Sequence, residues 1–257
     1  FYHHCFTVNV RKFLCAARSE LDWSRRAVDW TTMAFLLINL HGKRDSSLSN
    51  QMRQTKAMSP DYAVRWWCER NLSPPEIEPI EFLRKRLNWR YAKGRPKLCR
   101  SQVYLGDSVQ LLPDLHRSIH SLDASPPRLL FTSPPYCGVT NYHYDQWLRL
   151  WLLGGESLPS RLSGRHRGRF TDQEKYRELL EMVFSKAACL LSADSVIYVR
   201  TDMRKTTYDT TKEVLQKVFP DKKLVRRVKP FRRPTQTHLF GDKMPKEGEV
   251  DLLLLPA

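Results

Sequence analysis

Arg128-Leu129-Leu130-Phe131-Thr132-Ser133-Pro134-Pro135-Tyr136 is the stretch on which the reading of this chain turns. Its apolar part is too short for a helix and has no polar interruption, which predicts a buried parallel strand over 128–132. Two prolines follow, and neither can donate to a ladder or continue a strand. In an open α/β sheet, ligands bind beyond the carboxyl ends of the strands. Ser133 to Tyr136 are therefore expected at the mouth of a site.

Such a tip has definite chemistry. Two prolines fix two φ angles and remove two N–H groups, so backbone carbonyls are left as rigid acceptors. Ser133 adds a hydroxyl acceptor and Tyr136 a flat face for stacking on a ring. Acceptors beside a stacking surface suit the exocyclic amino group of a nucleobase. Ser-Pro-Pro also occurs at Ser73-Pro74-Pro75 and Ser125-Pro126-Pro127; only the third copy has a strand before it and an aromatic after it. Ser133-Pro134-Pro135-Tyr136 resembles the catalytic Asp/Asn/Ser-Pro-Pro-aromatic signature of the amino-methylating DNA methyltransferases.

Composition agrees with a polyanionic partner. The 257 residues carry a net charge of +16 and a pI near 9.8, a strong bias towards nucleic acid. No apolar run approaches the roughly 20 residues needed to span a bilayer, and no signal peptide is visible, so the expected setting is cytoplasmic. Six cysteines are scattered without a Cys-x-x-Cys pair, which points to reduced thiols and to no metal site.

Residues 1–98 read as a helical region, with helices over Val10–Leu21, Ala27–Leu40, from Ser59-Pro60 onward, and from Glu76 to Tyr91. The helix from Ala27 is apolar on most of its surface and is expected to pack inside, as are the aromatics Tyr62, Trp66, Trp67, Trp89 and Tyr91. The polar tract Gly42–Lys56, with His41 before it, reads as a solvated loop. Its Asn50, Gln51 and Arg53 are also of the types that read base edges. From residue 99 strands and helices alternate. Strands are predicted at Gln102–Leu105, 128–132, Val196–Val199, Leu224–Val228 and Val250–Leu255. Helices are predicted over Val109–Ile119, Tyr144–Leu153 and Thr207–Phe219, with a further one opened by a Thr171–Glu174 capping box. Residues 99–257 therefore read as an α/β core with a doubly wound, mostly parallel sheet and a C-terminal hairpin.

The resemblance extends over about residues 100–257 and implies the Rossmann-like methyltransferase fold with S-adenosyl-L-methionine as cofactor. Gly106-Asp107-Ser108 places Asp107 26 residues before Ser133. In the family a Gly-Asp there contacts the cofactor's adenine, which implies Asp107 and Ser108 as cofactor contacts; the same residues also suit a helix N-cap. Ser133, Pro134, Pro135 and Tyr136 are implied as catalytic, with the helix Tyr144–Leu153 backing their pocket and no metal required. The family's Phe-x-Gly-x-Gly turn has no counterpart among the ten glycines. With Phe1 at the start, the chain reads as a piece of a longer protein whose glycine turn lies upstream.

The implied activity is methylation of DNA at cytosine N4, since family members with serine at the first position act mostly on cytosine. Adenine N6 methylation, or a catalytically incomplete DNA-binding module on the same fold, are the alternatives. DNA is the implied partner, with restriction or defence-system proteins as further ones. The charge carries a direct expectation. Six to ten phosphate contacts would weaken duplex binding by roughly 10³–10⁵-fold between about 50 and 200 mM salt. Fluorescence anisotropy across that range measures it, and salt-insensitive binding would argue for another partner.

Overall fold

The computed structural model describes residues 1–94, 101–121, 125–138, 141–160, 168–229 and 248–256. The elements in chain order are α1 (Tyr2–Cys5), α2 (Val8–Glu20), α3 (Ala27–Asn39), α4 (Pro60–Cys68), α5 (Pro79–Tyr91), α6 (Ser108–Ser121) and β1 (Leu129–Thr132). They continue with α7 (Tyr142–Asp145), α8 (Trp147–Leu152), α9 (Gln173–Ala188), β2 (Val196–Asp202), α10 (Lys205–Val218), β3 (Lys222–Lys229) and β4 (Glu249–Pro256). The chain divides into two compact units. The first holds residues 1–99 and 141–163, the second 100–140 and 164–257. Residues 141–163 thus fall outside the unit to which the sequence pattern assigned them.

The first unit is helical and is built around the tract that reads as a solvated loop. His41, Ser47, Leu48, Ser49, Asn50 and Met52 are all buried there. A polar segment can be buried when its hydrogen bonds are satisfied inside; among the described side chains of this tract His41 Nε2 is the exception. Leu48 N–H donates to Asn39 O, Asn50 N–H to Cys5 O, and Met52 N–H to Gly42 O. The Asn50 amide donates to both His4 O and Leu72 O, and Trp67 Nε1 donates to Gln51 O at 2.6 Å. Asn50 is consumed as a structural tie and reads no base edge. Helices α7 and α8, expected behind the catalytic pocket, pack in this unit too. Trp147 Nε1 donates to Met58 O, and Arg149 donates to Leu37 O and Gln54 O. Helix α3 is only half inside. Met33 and Leu36 are buried, but Val28, Trp30 and Ile38 are exposed, as is Trp89 on α5 at 75%.

The second unit is a mixed α/β structure with sheet order β1-β2-β4-β3. Only β1 and β2 are parallel; β2–β4 and β3–β4 are antiparallel. The mostly parallel sheet expected from the alternation is thus corrected, because β4 inserts between β2 and β3. The antiparallel β3–β4 pair occurs as read. Helices α9 and α10 bury Tyr176, Leu180, Phe184, Val214 and Leu215 against Ile197, Val199, Val250, Leu252 and Leu254. Helices α9 and α10, which lie after β1 and β2 in the chain, therefore share one face of the sheet.

Three further readings change. Gln102–Leu105 forms no strand and is exposed, with Val103 at 96%, since no described strand lies beside it to accept its hydrogen bonds. Strand β1 is buried on one face only: Leu130 packs on the core, while Leu129 and Phe131 are exposed. The α9 cap also moves by one residue. Asp172, not Thr171, is the N-cap and accepts from Lys175 N–H. Pro113 inside α6 cannot donate to the Val109 carbonyl. The Lys186 ammonium of α9 takes that carbonyl instead, at 2.7 Å, so the helix continues through the proline.

His41 makes the first unit acid-sensitive. Its Nδ1 bonds Arg53 O at 2.9 Å, and Nε2 is buried with no hydrogen-bond partner. Burial, then the Arg149 charge, lower its pKa to about 3. The unfolded ring protonates near 6.5, so stability present above that pH is lost as pH falls towards 3. Urea unfolding should show about 2 kcal/mol lost through His41 between pH 7 and pH 5. His41→Gln should flatten that part of the slope; an unchanged slope would place the sensitivity elsewhere.

Candidate active site

Strand β1 ends where Pro134 and Pro135 stop the ladder, beside the parallel strand β2 in register Thr132↔Val199. Ser133, Pro134 and Pro135 line a cavity of about 630 Å³ together with Gly106, Asp107 and Ser108. Two sequence-predicted clusters therefore meet at one place. The wall opposite is apolar, formed by Leu179, Leu180, Val183 and Phe184 of α9, with Leu112 and Leu130. Volume and lining fit a ligand with a ring system and a few polar groups.

Asp107 does two jobs in this structure. Its carbonyl accepts from Gln110 and Leu111 N–H and its Oδ1 accepts from Val109 N–H at 3.0 Å, so it is the N-cap of α6. Its Oδ2 accepts from Arg169 Nη1 at 3.1 Å, with both side chains about one-fifth exposed. Arg169 is brought there by the turn 168–171. Gly168 has φ +80°, and its carbonyl accepts from Thr171 and Asp172 N–H. The turn is tied to the motif by Gly138 N–H, which donates to Phe170 O at 2.6 Å. Gly138 itself has φ +69°, a conformation that favours glycine. Arg161, Arg165 and Arg167 of the same loop, and Arg232 and Arg233, lie outside the described residues.

Tyr136 does not line the cavity. It is half-buried, and its hydroxyl donates to Glu249 Oε1 at 3.1 Å. Burial pushes the phenol up to about 12, the Ser133 hydroxyl pulls against it, and the Glu249 carboxylate adds to the rise. The phenol thus keeps its proton throughout the neutral range. By register Glu249 lies opposite Asp202 and Asp251 opposite Arg200, on the sheet face away from α9 and α10. Asp202 accepts from Arg204 N–H at 3.1 Å and Arg204 Nε at 2.6 Å. Cys137, next in the chain, has its thiol raised by burial, with the Arg204 charge opposing, and acts as packing. Among the described residues no cluster of three His, Cys, Asp or Glu could hold a metal ion, and no helix is long and apolar enough to cross a membrane.

Sequence reasoning did not find Glu249, Asp202 or the Arg169 contact. Glu249 is 113 positions from Tyr136, and only the β2–β4 register brings it near. Arg169 was visible as one basic loop residue among several.

No protein-family profile matches the chain, and no curated protein matches it. Among solved structures, a crystal structure of an M1.HpyAVI–SAM complex is similar over 60% of this chain, at 14% identity and a TM-score of 0.32. The similarity spans about half, 52%, of that structure's chain.

The cap and the ion pair at Asp107 are separable. Asp107→Ala should cost about 1–2 kcal/mol, whereas Asp107→Asn, which keeps a side-chain acceptor for Val109 N–H, should cost under about 0.5. Urea unfolding measures both. Equal losses would mean that the Arg169 pair, not the cap, holds α6.

Proposed function

We propose that this chain carries the catalytic strand end of an S-adenosylmethionine-dependent DNA methyltransferase acting on an exocyclic amino group, cytosine N4 before adenine N6. The observation that carries the reading is the convergence of Ser133-Pro134-Pro135 with Gly106-Asp107-Ser108 on one cavity at the carboxyl end of a parallel strand pair. The charge of +16 supplies the attraction for DNA.

The residues divide the work. A base flipped from the helix stacks on Tyr136. Ser133 Oγ and the Pro134 carbonyl accept from its amino group and turn the nitrogen lone pair away from them. Asp107 and Ser108, at the α6 N-terminus, hold the cofactor's adenine, with the apolar α9 wall excluding water. The cofactor supplies an electrophilic methyl on a sulfonium. The protein's contribution is positioning. Serine at the first position offers one neutral acceptor where a carboxylate would offer two charged oxygens, which, with the family pattern, favours cytosine.

A second reading is a DNA-binding module that no longer transfers methyl groups. What favours it is that Gly106 is the single glycine lining the described cavity and that the sequence lacks the Gly-x-Gly turn. Methyl transfer from labelled cofactor to unmethylated duplex DNA separates the two. Ser133→Ala and Tyr136→Ala should each lose most of the transfer while DNA affinity stays within about twofold. Nucleoside digestion should yield N4-methylcytidine. N6-methyladenosine alone overturns the choice of base, and wild-type rates in both variants overturn the site.

A further inference from the structure

We propose that Glu249 is the positioning residue for Tyr136, holding the phenol hydroxyl so that the ring presents a fixed face to the target base. The inference rests on the methyltransferase reading for what the ring does, but its geometry stands alone. The chain around Tyr136 is constrained: two prolines precede it, and Gly138 follows at positive φ, tied to Phe170 O. The ring itself still has two side-chain torsions. An anchor on the hydroxyl, at the far end of the side chain, removes that freedom, and Glu249 Oε1 is that anchor at 3.1 Å.

Glu249 is itself held. It opens β4 opposite Asp202, and its Oε2 lies 3.8 Å from Arg200 Nε. Arg200 is fixed by the buried Asp251, donating Nε to Oδ1 at 2.7 Å and Nη2 to Oδ2 at 3.2 Å. Arg200 Nη2 also donates to Tyr198 Oη at 2.9 Å. The Tyr198 ring stacks on Phe131 at 4.8 Å and 16°. Phe131 belongs to β1, the strand that ends in the motif, so the chain of contacts Tyr136–Glu249–Arg200–Tyr198–Phe131 closes on its own starting strand. Arg200 already has a two-point carboxylate partner in Asp251, so it does not need Glu249 for its charge. Asp202, the other acid near Tyr136, is taken up by Arg204. Glu249 is left with the phenol as its shortest contact among those described.

The test is a double-mutant cycle in the full chain, with kcat and KM read separately for methyl transfer to unmethylated duplex DNA. Tyr136→Phe and Glu249→Ala should each lower kcat about tenfold with the cofactor KM unchanged. Glu249→Gln, whose amide oxygen still accepts, should restore most of kcat. The double variant should be no worse than either single one, because both remove the same contact. Losses that multiply to about a hundredfold, or a wild-type kcat for Glu249→Ala, overturn the proposal. If the unmutated chain transfers no methyl group, the second reading, a module without transfer, holds for this chain. The anchor is then judged by ¹⁹F spectra of 3-fluorotyrosine-labelled protein, with Tyr136 assigned by its loss in Tyr136→Phe. Its resonance should move in Glu249→Ala and stay in Glu249→Gln; an unmoved line in Glu249→Ala overturns the anchor.

Discussion

Pro134 and Pro135 have no N–H to give a neighbouring strand, and the arrangement of the site follows from that deficiency. Strand β1 stops at Thr132 while its parallel neighbour β2 runs on to Asp202. The chain must leave the sheet there, with carbonyls unopposed and two φ angles fixed. It divides its side chains as it leaves. Ser133, Pro134 and Pro135 face the cavity walled by α9, and Tyr136 reaches Glu249, whose register puts it on the other face. Gly138 then turns and hands the chain to the 168–171 turn through Phe170 O, which delivers Arg169 to Asp107. A donor-bearing residue at 134 or 135 would let the ladder continue and remove the bend on which these contacts depend.

Charge in the second unit is sorted in a way that the net value hides. Basic residues outnumber acidic ones along the chain, 43 to 27, yet three acids near the motif each meet an arginine. Asp107 meets Arg169, Asp202 meets Arg204, and Asp251 meets Arg200. A paired carboxylate has its charge met in place by the guanidinium rather than by the solvent that a lone buried charge would need. The positive excess therefore falls on other side chains, such as the exposed Arg227. On the proposed reading, that separation would bring polyanionic DNA close while acceptors stay at the strand ends.

Much of the local structure was legible because it is written locally. Helices α2, α3 and α4 and strands β2 to β4 fall where periodicity and Pro or polar stops place them, and the motif and Gly106-Asp107-Ser108 do line one cavity. What was not legible depends on partners far away in sequence. The 41–52 tract has a loop's composition, and only the carbonyls of Cys5, His4, Asn39 and Leu72 make its burial affordable. Val103 and Leu105 have strand propensity but no described neighbour to pair with. Residues 141–152 look like the next helix of the core. Trp147 and Arg149 bind carbonyls between Leu37 and Met58 instead, so contact partners decide the unit rather than chain order.

Serine at the head of the motif shapes what its surroundings must do. A carboxylate at position 133 would place charge directly against the amine of the proposed reaction; Ser133 brings none. The nearest ionised acceptor of the Tyr136 contact is Glu249, and the phenol between them is held protonated by burial. A neutral phenol donating to a carboxylate is a charge-assisted hydrogen bond, stronger and more directional than one to a neutral acceptor. The negative charge thus meets the Tyr136 hydroxyl, while Ser133 Oγ and the Pro134 carbonyl, the positions proposed to face a base, are neutral. Neutral acceptors hold an amine in place without stabilising its protonated form, which leaves the nitrogen lone pair available. On the proposed reading, the acid would orient the aromatic and the uncharged tip would orient the amine.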